Sequence, residues 1–169
     1  MINNDLQKAI DNLQIHDVYL RGVTSRCKDD FDPKYDSNNE SLAVQLKHFV
    51  RQSTVVKFDD NDTTLLRVFI ETGARWIDEK VDDENESIFA SVEAVFIAEY
   101  SMAELLEKAC IDEFSLKNSS YHVWPYWREL LSNHCDRMHL PKVVVPAVQL
   151  AQNRHNGAVS EIDDEVSSD

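Results

Sequence analysis

Cys135 and His139 stand four residues apart in a segment of helical periodicity. At that spacing two side chains share a helix face and could share a metal ion. A metal centre needs further ligands at defined positions, and His134 points elsewhere on the same helix, so the pair reads as a buried thiol beside a helix-end histidine. Asp59, Asp60 and Asp62 resemble the start of a calcium loop, but the glycine of the sixth position is missing and Ile70 stands where the bidentate glutamate belongs. Glu93 and Glu99 fall on one face of a strand pattern, at a separation of roughly 20 Å from the strand rise. That is too far for two carboxylates acting on one bond. The three glycines, Gly22, Gly73 and Gly157, belong to no phosphate-cradling loop, and no serine sits in a nucleophile elbow. The expectation is a protein that is not an enzyme and uses neither cofactor nor metal.

What the residues offer instead is contact surface. Trp124-Pro125-Tyr126-Trp127-Arg128-Glu129-Leu130 opens a helical stripe of Trp127, Leu130, Leu131, His134, Cys135 and Met138, which Pro141 stops. Proline suits a first helical turn, so the helix is expected over Pro125–Leu140. An apolar run, Val143-Val144-Val145-Pro146-Ala147-Val148, follows. Phe31 and Tyr35 are the only large apolar residues of a polar stretch, Cys27–Ser41, that reads as a long loop. Candidate contact residues for a bound polypeptide are Phe31, Tyr35, Trp124, Tyr126, Trp127, Val145 and Leu150.

The elements that must position these residues are legible as periodicities. Leu6, Ile10 and Leu13 predict a short N-terminal helix, and Ile15–Arg26 reads as a strand. Leu42–Phe58 alternates, with Leu42, Val44, Leu46, Val50, Val56 and Phe58 on one parity, which predicts a strand with one buried face. Leu65–Ile77 and Ser87–Tyr100 are the third and fourth strands, joined by an acidic connection. The fourth is apolar on both parities, so both sheet faces call for a cover. Met102–Phe114 reads as a helix that Asn118-Ser119-Ser120 breaks. Strands followed by helices predict an α+β fold: a four-stranded antiparallel sheet covered on one face by helices, with self-association covering remaining apolar surface.

At 169 residues one domain over 1–150 is expected, with an acidic, disordered tail over 151–169. A net charge of −14 disfavours nucleic acid and anionic membranes as partners and favours basic ones. No apolar run is long enough to span a bilayer, and the first residues lack the basic and apolar regions of a signal peptide. Three cysteines at wide spacing fit a reducing cytoplasm better than a disulfide framework.

Several segments, taken in order, resemble the SecB family of export chaperones. These are Leu13-Gln14-Ile15-His16-Asp17-Val18-Tyr19, Leu66-Arg67-Val68, Tyr100-Ser101-Met102 and Trp124-Pro125-Tyr126-Trp127-Arg128-Glu129, with the spacing onward to Leu140-Pro141 and Val143–Val145. The resemblance spans about Leu13–Leu150. It implies a homotetramer built as a dimer of dimers, ATP-independent binding of unfolded preproteins, and delivery to the SecA motor. It places Glu93 among the acidic residues that dock SecA's basic tail, whereas Gly22 and Arg26 stand where further acidic residues are expected. The segment Gln149–Arg154 is too polar for the family's apolar lid helix. Both departures suit a chaperone specialised for one partner, such as an antitoxin. A small-molecule-binding protein or enzyme on the same sheet is the reading from another class.

Overall fold

The computed structural model describes residues 3–60 and 62–146. Leu150 and the tail therefore lie outside the described residues. Helix α1 (Asn4–Asn12) is capped by the Asn3 side chain, which accepts from the Asp5 amide at 3.1 Å, and it buries Leu6 and Ala9. Four long strands follow: β1 (Leu13–Cys27), β2 (Ala43–Phe58), β3 (Thr63–Ile77) and β4 (Ile88–Met102). The single-turn helix α2 (Glu84–Ser87) precedes β4, and the Asp83 carboxylate caps it by accepting from the Asn85 and Glu86 amides. All strand pairings are antiparallel in the order β1-β4-β3-β2, so β1 and β2 are the edges.

Register assigns the two faces. One carries Leu66, Val68, Ile70, Ala74 and Trp76 of β3 beside Ala90, Val92, Ala94, Phe96, Ala98 and Tyr100 of β4. All of these are buried, and the helices pack on them. Among the described residues no helix covers the opposite, flat face. Its Ile97 is nonetheless buried, lying between Tyr19 of β1 and Phe69 of β3 in register. The second apolar parity of β4 is thus shielded partly by cross-strand neighbours.

The edge strand β2 departs from the sequence reading, because no residue in it is buried. Alternation in a sequence does not say which strand ends up at an edge. A β-bulge at Arg51 also breaks the parity. Val44, Leu46, His48 and Val50 lie on the helix face before it, and Ser53 and Val55 after it. Val56 and Phe58, of the same sequence parity as Val44, come to the flat face.

The helical part is continuous where a break was expected. Met102 ends β4, and α3 begins only at Lys108 (Lys108–Phe114). A π-helical turn over Ser115–Ser119 then leads directly into α4 (Ser120–Met138). The Ser119 hydroxyl donates to the Ser115 carbonyl, and Ser115, Ser119 and Ser120 are all buried. Small residues let the wide turn sit close to the sheet, so this cluster bends the helix instead of ending it. Pro125 consequently lies inside α4, where it removes the amide that would bond to the Tyr121 carbonyl. Leu131 and Cys135, one and two turns beyond Trp127, join it, Val123 and Phe114 against the sheet. The helix ends at His139, whose left-handed backbone (φ 54°) terminates it before Pro141.

Candidate functional site

After α4 the chain turns back. The Asn39 side-chain amide, in the β1–β2 loop, donates to the His139 carbonyl at 3.0 Å and to the Pro33 carbonyl at 2.9 Å. At the other end the Trp124 indole N–H donates to the Pro146 carbonyl at 2.6 Å. Trp124 itself meets the His48 ring edge-on, with centroids 5.2 Å apart. Residues 140–146 are therefore pinned beside the start of β2 at one end and beside His48 at the other, and run along the first half of that strand. Leu140 and Val145 point into the core, Val143 is half-buried, and Val144 faces solvent.

Together these elements build an apolar trough on the helix face. Val44 and Leu46 of β2 form its rim and are exposed, with Leu46 at 45%. Further along the same face of the strand, His48 meets Trp124. A cavity of about 460 Å³ lies over the outside of α4, lined by Pro125, Arg128, Glu129, Ser132 and Lys142–Val145. Among the described residues no strand pairs with the outer edge of β2, which leaves a row of backbone donors and acceptors there. An extended peptide can add to such an edge while its alternate side chains enter the trough.

A second depression lies on the other flank of α4. It measures about 430 Å³ and is lined by Val18, Leu20, Phe96, Tyr126, Leu130, Asn133, His134 and Arg137, among others. Ile15, Leu20 and Val23 of β1 are exposed on this side.

The contact candidates named from the sequence separate accordingly. Trp124 borders the trough, and Tyr35, 77% exposed, stands in the loop that is tied to its end through Asn39, whereas Val145 points into the core. Phe31 lies in that loop too, but it is 5% exposed and packs edge-on against Phe89. Trp127, at 1%, is core. Tyr126 lies on the β1 flank. Leu150 is outside the described residues. Val44, Leu46 and His48 were not singled out in the sequence, because the alternation of β2 reads as a buried face.

Glu93 lies on the flat face, away from the trough. Its carboxylate accepts from Lys47 at 3.2 Å and Arg75 at 3.0 Å. Burial pushes this carboxyl up, but the two cations outweigh that and hold it below its usual range. Lys47 also donates to Glu71 at 2.7 Å. Six residues further along β4, Glu99 accepts from Arg67 and from the Tyr19 hydroxyl, each at 3.0 Å. The acidic side chains at the centre of this face are thus neutralised within the chain.

Two histidines hold α4 to the sheet. His48 supports Trp124, and the Tyr100 hydroxyl lies 3.0 Å from His122 Nδ1. An unprotonated Nδ1 accepts from the phenol, whose own ionisation burial pushes far up. Desolvation lowers both histidine pKa values, that of the half-buried His122 and that of His48, an exposed edge-strand ring that Trp124 partly covers. The neutral rings therefore stabilise the fold fully above the unfolded histidine value of about 6.5, and that contribution is lost as pH falls through it toward the lower folded values. Thermal melts should show the midpoint falling as pH is lowered from about 7 to about 5. His122→Gln should flatten that slope, and an unchanged slope in both His122→Gln and His48→Gln would refute this assignment.

Among the described residues no group of three or more His, Cys, Asp or Glu could hold a metal ion. No helix among them is long and apolar enough to cross a membrane. No family model and no curated protein matches the sequence. The structure does match a solved one, the Mycobacterium tuberculosis SecB-like chaperone Rv1957, in complex with a ChAD peptide from the HigA1 antitoxin. The match has a TM-score of 0.65 at 15% identity and covers 87% of this chain and 98% of that one.

The chain has the SecB-like fold. The sheet, the long helix across it and the returning segment are the parts of that fold that frame the trough.

Proposed function

We propose that this SecB-like protein is an ATP-independent chaperone that holds an unfolded segment of a partner polypeptide in the trough between β2 and residues 140–146. The observation that carries this reading is the exposed apolar rim of Val44 and Leu46 on a strand that is an edge among the described residues, on the face where His48 meets Trp124. Exposed apolar surface of this kind is what a holdase needs, while a charge of −14 keeps the protein itself soluble. Binding only the unfolded form of a client shifts its equilibrium without catalysis. Tyr35 and Trp124 are the client contacts favoured among the described candidates, and Leu150 extends the set along the chain.

Within that role, service to a specific client is favoured over general export. The structural neighbour's antitoxin peptide supports it. So does the flat face, where a basic SecA tail seeking Glu93 would have to displace Lys47 and Arg75. Self-association into a dimer of dimers would cover Ile15, Leu20 and Val23 on the β1 flank. Three free thiols suit work in a reducing cytoplasm.

The test is aggregation of a reduced, unfolded model protein. An equimolar amount of the chaperone should suppress it without nucleotide. A chaperone for one client alone would leave that aggregation unchanged yet retain a single small protein in a pull-down. Failure of both would sink the proposal.

A further inference from the structure

The flat face is positive in an otherwise strongly acidic protein. Register and side-chain reach place Arg26, Lys47, Arg51, Arg67 and Arg75 on it, against Asp17, Glu71, Glu93 and Glu99. Lys47, Arg67 and Arg75 are spent on Glu71, Glu93 and Glu99. Arg26 and Arg51 carry no ion pair among the described residues. Neither has an acidic neighbour in sequence, unlike Lys80, Arg128 or Arg137. Arg51 is the bulged residue of β2, and it reaches over a depression of about 320 Å³ lined also by Gly22, Thr24, Val95 and the carboxylates Glu71 and Glu93, which Lys47 and Arg75 neutralise. A Cβ built on Gly22 would meet nothing within 4 Å, so the depression is open.

The chain beyond Pro146 supplies a complementary segment. Glu161-Ile162-Asp163-Asp164-Glu165 carries four carboxylates around one apolar residue. Its tether starts in the right place, because Pro146 is held by Trp124, which touches His48 of β2, three residues from Arg51. The residues between Pro146 and Glu161 can extend to roughly 50 Å, and passing round the β2 edge crosses one sheet thickness, about 10 Å. A tethered segment also acts at an effective concentration on the order of millimolar.

We propose that Glu161–Glu165 of the chain's own tail dock on the flat face over Arg51 and Arg26, with Ile162 entering the depression beside Gly22. The docked tail covers the one surface of the sheet that would otherwise attract acidic proteins. It also lies along the β2 edge opposite the trough, so it shields that face without occupying the client site.

The experiment compares amide resonances of the full chain with those of a full-length variant carrying Glu161→Gln, Asp163→Asn, Asp164→Asn and Glu165→Gln. Gly22, Thr24, Phe49 and Arg51 should shift between the two, while α1 and the core face of α4 stay unchanged. Raising salt from about 0.05 to about 0.5 M should collapse the difference, because the screening length falls below about 5 Å. Arg26→Gln with Arg51→Gln should release the tail resonances of the wild-type sequence in the same way. Absence of flat-face shifts, shifts confined to the helix face, or shifts that grow with protein concentration would overturn the intrachain contact; the last would place the tail on a neighbouring copy.

Discussion

Val44→Asp combined with Leu46→Asp should abolish most client binding while leaving the protein folded. Both side chains lie on the exposed rim of an edge strand, so the substitutions remove no buried packing. In a client complex, however, they place two carboxylates against apolar side chains, and neither has a cation opposite it in the register of β2 with β3, where Trp76 and Ala74 are the partners. Affinity should fall on the order of tenfold to a hundredfold, or about 1.4–2.8 kcal/mol. Calorimetric titration of an extended apolar peptide reads this directly. Leu105→Asp, at an exposed position away from the trough, should leave affinity within about twofold. Equal loss in both variants would mean that charge, not the trough, governs binding.

Trp127→Ala should be the most damaging substitution to the fold itself. The indole is buried among the residues that join α4 to β3 and β4, and its removal leaves a cavity that the rigid sheet below cannot close. The expected cost is about 3–5 kcal/mol, read from the midpoint of denaturant unfolding at unchanged slope. Tyr126→Ala, one residue earlier and 47% exposed, should cost less than about 1 kcal/mol. Similar costs for the two would contradict the placement of α4.

The contrast between those neighbours shows what sequence could and could not convey. Helical periodicity put Trp127, Leu131 and Cys135 on one apolar stripe, and the structure buries all three, including Trp127, which was also a contact candidate. The same kind of argument failed on β2, because alternation records which side chains share a face and says nothing about strand order. Only the order β1-β4-β3-β2 makes β2 an edge and turns Val44 and Leu46 from expected core into a rim. The π turn escaped for a related reason. Ser115, Ser119 and Ser120 look like a break because serine competes locally with helical hydrogen bonds, yet burial against the sheet holds the helix together. Trp124 stood out from its type and its proline neighbour, but its partners His48 and Pro146 come from elements far away in sequence. The ion pairs that occupy Glu93 were hidden too, since Lys47 and Arg75 reach it only through strand register.

The central claim is that the trough recognises unfolded polypeptide. The most direct measurement is a titration of the full-length protein with one client in two states, native and reduced-unfolded, at the same concentration and without nucleotide. The account predicts saturable binding of the unfolded form and none of the native form. Equal binding of both states, or binding of neither that client nor any partner recovered by pull-down, would contradict it.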